Sequence, residues 1–185
     1  MIKNKKNYME YYLADNADFL QKTVRERLVS RIAGYPDHKI YLFKKYLRKA
    51  EYAVNTSNSK LTWLVALYYE RKKNRYGDRL GVEIEINCFG KGLQIYHGGI
   101  VVHPAARIGA NCRLHGGNCI GNDGKSEAVP VIGDNVDIGY GACVIGDVVL
   151  ADNITIGCNA VVVKSCGHQY AVLAGVPAKQ SCRND

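Results

Sequence analysis

Two histidines, His97 and His115, have the spacing that best suits joint chemistry, because they are eighteen residues apart. Histidine titrates close to neutral pH and is the usual side chain for removing a proton from an alcohol before it attacks a carbonyl. If eighteen residues make one turn of a coiled backbone, the two imidazoles lie one above the other, about 5 Å apart. The alternative is that one or both only form hydrogen bonds within turns, which is also what we expect of His103.

A six-residue repeat of aliphatic residues predicts the element that positions these histidines. Its members are Val102, Ile108, Leu114, Ile120, Ile132, Ile138, Val144, Leu150, Ile156 and Val162. Neither the helix period of 3.6 nor the strand period of 2 gives this spacing, whereas a prism of short strands joined by tight turns does. Asn111, Asn135 and Asn153 fall at the corners, where unusual backbone angles are needed. The repeat therefore predicts a parallel β-helix with three hexads in each turn.

The chain is predicted to have two parts, a helical region over residues 1–79 and a β-helical region over residues 80–185 with a C-terminal tail. The first helix is expected to run from about Asp15 to Gly34, and the second to follow Asp37 as its N-cap. The third is expected to follow Ser59 and to turn Leu61, Leu64, Val65 and Tyr68 inward. Residues 122–130 break the repeat and predict a loop extruded from the prism.

Composition limits the classes of function. The 185 residues carry a formal charge of +8, which suits an anionic partner. We expect no nucleic-acid partner, because no basic run is interleaved with aromatic residues on the repeat. The longest apolar stretch, residues 64–69, is too short to span a bilayer, so we expect no integral membrane segment. Seven cysteines without a CxxC pair are expected to be reduced, in a cytoplasmic protein.

A metal site is the alternative use of the two histidines. Some β-helices hold zinc with three histidines, and such a site needs a further histidine or carboxylate within reach. The segment that follows His115, Gly-Gly-Asn-Cys-Ile, offers no convincing ligand. We therefore expect no metal.

Three ordered segments carry a resemblance to a known family. They are FGKGLQIYHGGIVVHPAARIGANCRLHGGNCIGNDGK, VIGDNVDIGYGACVIGDV and AGVPAK, within residues 81–179. They resemble the hexapeptide-repeat acyltransferases, specifically their serine acetyltransferase-like branch. The resemblance implies a left-handed β-helix after the helical segment, acetyl-CoA as donor, and a homotrimer with active sites between neighbouring prisms. It leaves open whether two trimers pair.

The resemblance also implies roles for individual residues. His97 falls on the general base of the family. Ala142 and Ala160 match small positions beside which the pantetheine arm lies, and Lys164 and Lys179 match basic positions near the CoA phosphates. A strip of small side chains lets an extended pantetheine approach the backbone, and lysines can pair with phosphates.

The sequence also departs from the family pattern. Tyr96 stands where an aspartate precedes the catalytic histidine, and Ala128 and Val129 stand where an Arg-His pair is usual. The upstream carboxylate that orients the histidine is not matched cleanly, with Glu83 or Glu85 as substitutes. The usual contacts to a zwitterionic amino acid are therefore missing.

A sugar acceptor is expected to suit this altered pocket better than L-serine. Tyr96 could stack on a pyranose, and His115, Asn122 and Asp123 could hydrogen-bond its hydroxyls. We therefore expect an acetyl-CoA-dependent O-acetyltransferase that acts on a small hydroxylated acceptor, by analogy a sugar in surface-polysaccharide biosynthesis. The alternatives are a serine O-acetyltransferase of cysteine biosynthesis, a non-catalytic β-helix that binds a ligand or scaffolds a complex, and a metal-dependent hydratase.

Overall fold

The computed structural model describes residues 1–181. The chain divides into two compact units, Met1–Gly81 and Val82–Asp185, whereas the prediction placed the boundary between residues 79 and 80. Cys182 and the rest of the predicted tail beyond residue 181 lie outside the described residues. The six other cysteines are free thiols, and Cys88 and Cys112 are buried as predicted.

The first unit consists of four helices, one more than predicted. They are α1 (Lys5–Gln21), α2 (Val24–Ala33), α3 (Pro36–Asn55) and α4 (Lys60–Asp78). The single helix predicted from Asp15 to Gly34 is wrong, because α1 ends at Gln21 and Thr23 is the N-cap of a second helix, α2. The Thr23 side chain accepts a hydrogen bond from the backbone of Glu26, and the Glu26 carboxylate accepts one from the backbone of Thr23. Such a capping box satisfies two backbone donors that a helix start leaves open.

The start of α3 also differs from the prediction. Tyr35 is the N-cap and Pro36 occupies the first turn, where its fixed φ suits a helix. Asp37 lies inside the helix instead of capping it. Its carboxylate accepts from the hydroxyl of Ser30 and pairs with Lys22 at 2.6 Å. Asp37 therefore connects α3 to Ser30 of α2 and to Lys22, the residue that follows α1.

Helix α4 begins after Ser59 as predicted, but it buries the opposite face. Its buried residues are Ala66, Lys73 and Gly77. The residues predicted to point inward, Leu61, Leu64, Val65 and Tyr68, are exposed. The prediction was wrong because periodicity shows which residues share a face of a helix, not which face meets a neighbouring helix. Within residues 1–181, no helix is both long and apolar enough to cross a membrane.

The described part of the second unit, residues 82–181, contains fourteen short strands. They are β1 (Val82–Glu83), β2 (Gln94–Ile95), β3 (Ile100–Val102), β4 (Arg107–Ile108), β5 (Arg113–Leu114), β6 (Cys119–Gly121), β7 (Val131–Ile132), β8 (Asp137–Ile138), β9 (Cys143–Ile145), β10 (Val149–Leu150), β11 (Thr155–Ile156), β12 (Val161–Val162), β13 (Val172–Gly175) and β14 (Ala178–Ser181).

These strands form the three faces of a prism. The sheet orders are β1-β3-β6-β9-β12, β4-β7-β10 and β2-β5-β8-β11-β13-β14. All neighbours are parallel except β13 and β14, which form an antiparallel hairpin. Successive strands of the chain thus lie on different faces of the prism, and equivalent positions of neighbouring coils stack along each sheet. The predicted parallel β-helix after a helical segment is confirmed.

The hexad repeat marks the interior of the prism. All ten aliphatic residues of the repeat are buried, with Leu114, Ile120, Ile138 and Val144 fully so. Val131 pairs with Val149 and Asp137 with Thr155, so each of these turns uses the predicted eighteen residues. The six-residue repeat arises because each short strand directs one side chain of the repeat into the prism.

The corner asparagines are confirmed. Asn111, Asn135 and Asn153 have φ values of 57°, 57° and 63°. Asparagine tolerates this left-handed region better than most residues. The Asn111 side chain donates to Asn135 at 3.0 Å, and Asn135 donates to Asn153 at 3.1 Å, so one edge of the prism is a ladder of amides.

Candidate active site

The corner that carries His97 has one more residue than the corner above it. Ile95 of β2 pairs with Leu114 of β5, nineteen residues later, whereas Val101 of β3 pairs with Cys119 of β6, eighteen residues later. The turn between β2 and β3 therefore contains an additional residue. An extra residue at a corner bulges the backbone outward, and His97 is exposed there.

The predicted stacking of His97 beneath His115 is wrong. The additional residue shifts the register, so Tyr96 lies beneath His115 instead. The backbone N–H of Tyr96 donates to the carbonyl of Leu114 at 3.0 Å, and the Tyr96 and His115 rings are 4.9 Å apart between centroids. The two imidazoles thus belong to two neighbouring columns of side chains and do not form a stacked pair.

Gly116 lies directly above His97. A Cβ on Gly116 would come within 2.7 Å of the His97 Cβ, and the residue has a φ of 112°, which favours glycine. Gly141 donates its backbone N–H to the Gly116 carbonyl at 2.8 Å, which places Tyr140 in the coil above. The column above His97 is therefore a glycine followed by a tyrosine, with no side chain between the two rings.

Tyr140 contacts His97 from the coil above Gly116 and was not predicted as part of the site. Its ring meets the His97 ring edge to face, with centroids 6.4 Å apart. The contact exists because Gly116 has no side chain between them. Within residues 1–181, this contact with Tyr140 is the only side-chain interaction found for the His97 ring, and no carboxylate orients it. Counting the loop's six extra residues into the repeat would have placed Tyr140 two coils above His97.

The carboxylate close to this corner, that of Asp137, is hydrogen-bonded to His115 and not to His97. Asp137 Oδ1 is 2.8 Å from His115 Nε2, and Asp137 Oδ2 is 3.2 Å from Arg113 Nε. Arg113 pairs with Asp137 across β5 and β8. Neither Arg113 nor Asp137 was predicted as part of the site. Arg113 and Asp137 are twenty-four residues apart, because the extruded loop adds six residues to this coil. The regular eighteen-residue spacing therefore did not predict their contact.

The comparisons with known proteins agree with this architecture. No family model matches the chain. The serine acetyltransferase of Staphylococcus xylosus is 39% identical over 101 residues, which are 52% of this chain and 46% of that protein. The serine acetyltransferase of Staphylococcus aureus strain Mu50 is 39% identical over 101 residues, or 52% of this chain and 47% of that protein. The chain thus spans about half the length of the curated relatives it matches.

Solved structures extend the likeness over nearly the whole chain. Soybean serine acetyltransferase complexed with serine has a TM-score of 0.72 at 23% identity, covering 96% of this chain and 70% of that one. The serine acetyltransferase of Neisseria gonorrhoeae has a TM-score of 0.68 at 26% identity, covering 97% and 66%. A serine acetyltransferase in complex with CoA has a TM-score of 0.68 at 23% identity, covering 96% and 71%.

The chain has the fold of the solved serine acetyltransferases, a left-handed β-helix after a helical segment, and its hexapeptide-repeat part is similar in sequence to the curated ones. Its fold and its resemblance to the serine acetyltransferase-like branch were both predicted from the sequence and are confirmed. The roles of the individual site residues in this hexapeptide-repeat protein remain predictions.

The extruded loop of the hexapeptide-repeat protein contains hydrogen bonds between the Asp123 side chain and its own backbone. Asp123 Oδ1 accepts from the backbone N–H of Lys125 at 2.9 Å and of Ser126 at 3.0 Å. These two hydrogen bonds lower the pKa of Asp123. Asp123 is exposed and Asn122 is half-buried. The loop thus already uses one Asp123 oxygen, while the predicted contacts of both residues with an acceptor stay predictions.

The predicted donor-binding positions lie in two different environments. The side chains of Ala142 and Ala160 are fully buried in the prism, so only their backbone could meet a ligand. The Ala142 carbonyl accepts from the backbone of Cys119 and from the Asn118 amide. Lys164 and Lys179 are exposed, and Lys179 lies on β14 opposite Ala174. The donor roles of these four residues stay predictions.

The remaining histidine prediction concerns a turn. His103 Nδ1 accepts from the backbone N–H of Ala105 at 3.1 Å, so the turn role expected of His103 is confirmed. Among residues 1–181, no group of three or more histidine, cysteine, aspartate or glutamate side chains is placed to hold a metal ion.

Replacing Gly116 with alanine should lower the turnover of the acetyl transfer expected from the sequence by about 100-fold. The added methyl would collide with the His97 Cβ and displace the imidazole, and a shift of about 1 Å can cost this much. Steady-state kinetics with acetyl-CoA would measure the loss. Gly34→Ala is the matched control, since Gly34 also has positive φ, at 69°, but an added Cβ there meets no atom within 4 Å. Equal turnover in the two variants would contradict the expected collision.

Proposed function

We propose that this hexapeptide-repeat protein is an acetyl-CoA-dependent O-acetyltransferase in which His97 is the general base. The observation that carries the proposal is the exposed side chain of His97 at a bulged corner, beneath Gly116, which has no side chain to cover it. The relatives named serine acetyltransferases and the neighbour in complex with CoA support an acetyl-CoA donor.

The proposed step is a direct transfer. A ring nitrogen of His97 removes the proton of the acceptor hydroxyl, and the resulting oxygen attacks the thioester carbonyl carbon. A C–O bond forms, the C–S bond breaks, and CoA leaves as a thiolate that takes the proton back from the imidazolium. A thiol pKa of about 8.5 makes this a good leaving group. Turn amides of the same corner or His115 are the proposed donors to the oxyanion.

L-Serine is the acceptor that the comparisons favour. The curated relatives are named for serine, and the soybean neighbour was solved with serine bound. The sugar acceptor, preferred on the sequence alone, therefore becomes the second candidate. One observation still supports the sugar: the Tyr96 ring is exposed beside His115 and could stack on a pyranose.

An acceptor screen with labelled acetyl-CoA tests the proposal. We expect an O-acetylated product from L-serine by mass spectrometry, at a higher rate than from a panel of neutral and charged sugars. A product from sugars alone would move the acceptor to the second candidate. If no acceptor is acetylated and calorimetry detects no binding of CoA, the chain is a non-catalytic β-helix. A homotrimer, with sites between neighbouring prisms, is part of the proposal, and sedimentation measures it.

A further inference from the structure

A charged cluster lies on the outer surface of β5 and β8. Its members are Arg113, His115 and Asp137, and we call them the Asp137 cluster. Leu114 and Ile138 are buried between and beside them, so the alternating side chains of the cluster point outward. Arg113 begins β5 and His115 directly follows that strand, so the two residues are two positions apart, a span of about 6.6 Å in extended chain. The cluster is therefore compact enough to meet one small molecule.

Asp137 contacts both Arg113 and His115 through its carboxylate. Its Oδ1 binds His115 Nε2 at 2.8 Å and its Oδ2 lies 3.2 Å from Arg113 Nε. A carboxylate oxygen accepts, so His115 donates through Nε2 and leaves Nδ1 open. Both oxygens of Asp137 are thus engaged, and the carboxylate charge is directed at the Nε edge of the guanidinium.

The other edge of the Arg113 guanidinium remains available. The Arg113 side chain is 48% exposed. Within residues 1–181, its terminal nitrogens have no hydrogen-bond acceptor. A guanidinium has five N–H donors in a planar fork, and Nε accounts for one of them. The four N–H donors of the two terminal nitrogens of Arg113 therefore have no partner among residues 1–181, and they have the planar geometry that matches a carboxylate or a phosphate.

The Asp137 cluster is joined to the proposed catalytic corner by Tyr96. Tyr96 directly precedes His97 in the chain, and its ring lies against His115. A molecule that rests on Tyr96 with its hydroxyl towards His97 thus has the Asp137 cluster on its other side. Ala128 and Val129 replace the Arg-His pair of the family pattern, so this chain lacks a cation there, and Arg113 offers one from a different strand.

We propose that Arg113, held by Asp137 beside His115, binds an anionic group of the hydroxyl acceptor, a carboxylate or a phosphate. This inference rests on the proposed acetyl transfer and narrows its acceptor class. It applies to L-serine through its carboxylate and to a sugar only if that sugar is a uronate or carries a phosphate. Neutral sugars and the amide of serine lack the group and are poor acceptors.

Matched acceptor pairs test the inference with the full chain. The pairs are L-serine with L-serinamide, D-glucuronate with D-glucose, and glucose 1-phosphate with glucose, which separate the carboxylate from the phosphate. Arg113→Gln should raise KM for the charged member by about 10-fold or more and leave its neutral partner and KM for acetyl-CoA unchanged. Arg113→Lys should retain part of the preference, because it keeps the charge without the fork.

The control is Arg107→Gln. Arg107 points outward one hexad before Arg113, but its guanidinium donates to the carbonyls of Pro104 and Ala106 in its own turn. This variant removes the same charge and should leave the preference for charged acceptors intact. An equal rise of KM for charged and neutral acceptors in Arg113→Gln would show a structural role and overturn the inference.

Direct binding separates this inference from the proposed function. Calorimetry of L-serine, D-glucuronate and glucose 1-phosphate needs no turnover. If no acceptor is acetylated, the proposed function fails, while an anion that binds the wild type and not Arg113→Gln still supports the anion site. Acetylation without any preference for charged acceptors would instead retain the function and overturn the anion site.

Discussion

Replacing His97 with asparagine should lower kcat for acetyl transfer by about 100-fold or more, because a positioned general base contributes about that much. Asparagine is close to histidine in size and cannot accept the hydroxyl proton. His97 is exposed at its corner, so the change leaves the buried interior of the prism intact. Steady-state kinetics would measure kcat, and calorimetry should show acetyl-CoA binding that is nearly unchanged.

The control for this loss is His103→Asn. His103 lies at another corner, and its Nδ1 only accepts from the backbone N–H of Ala105. An asparagine oxygen can accept the same hydrogen bond, so kcat should stay within about 2-fold of the wild type. If His97→Asn also retains its rate, the general base is another group. His115, which Asp137 orients, would then be the next side chain to replace.

Replacing Arg48 with methionine should lower the free energy of unfolding by about 3–5 kcal/mol. Arg48 lies on α3 and is almost fully buried, as are Asp15 and Glu51. Its Nε is 2.7 Å from Asp15 Oδ2, and one terminal nitrogen is 2.8 Å from Glu51 Oε2. Burial alone would lower the pKa of Arg48, but the attraction of the two carboxylates exceeds it and raises the pKa. Methionine would leave two buried carboxylates without this cation.

Urea denaturation followed by circular dichroism would measure the change. The matched control is Lys22→Met, which removes a cation from the ion pair with Asp37 at 2.6 Å. Both of those side chains are about one-third or more exposed, so the expected loss is below about 1 kcal/mol. Equal losses in the two variants would contradict the argument from burial. The triple variant Arg48→Met, Asp15→Asn, Glu51→Gln should recover part of the stability, because the three charges of this buried group are removed together.

The core of the β-helix followed from the sequence because its signal is periodic. Each inward position recurs after six residues, so Leu114, Ile120 and Ile138 could be assigned to the interior without coordinates. The loop at residues 122–130 was equally visible, since it interrupts that repeat. The asparagines at the corners were also visible, because few residues tolerate their backbone angles.

The site followed only in part, because it depends on register. A single extra residue at the His97 corner moved Tyr96, not His97, beneath His115. The sequence did contain a signal for this shift. The buried Ile95 precedes the buried Val102 by seven residues, one more than the repeat allows. A prediction that aligned these two inward residues would have placed Gly116 above His97.

The helical unit shows a second limit of sequence reasoning. The pattern of Thr23 followed by Glu26 three residues later signals a helix start, and it would have divided the first predicted helix. No pattern indicated the orientation of α4, whose residues Leu61 and Leu64 are exposed. The packing of α4 is set by small residues such as Ala66 and Gly77, which allow a close approach but carry little hydrophobic signal.

The sequence by itself determined the prism, its three faces, the extruded loop and the presence of His97 at a corner, because each depends on local spacing or on the type of one residue. The tertiary structure alone decided which side chains share a column: His97 with Gly116 and Tyr140, and His115 with Tyr96, Asp137 and Arg113. The physical reason is that neighbours in a β-helix are set by the lengths of the intervening turns, so one added residue changes which side chains share a column at its corner.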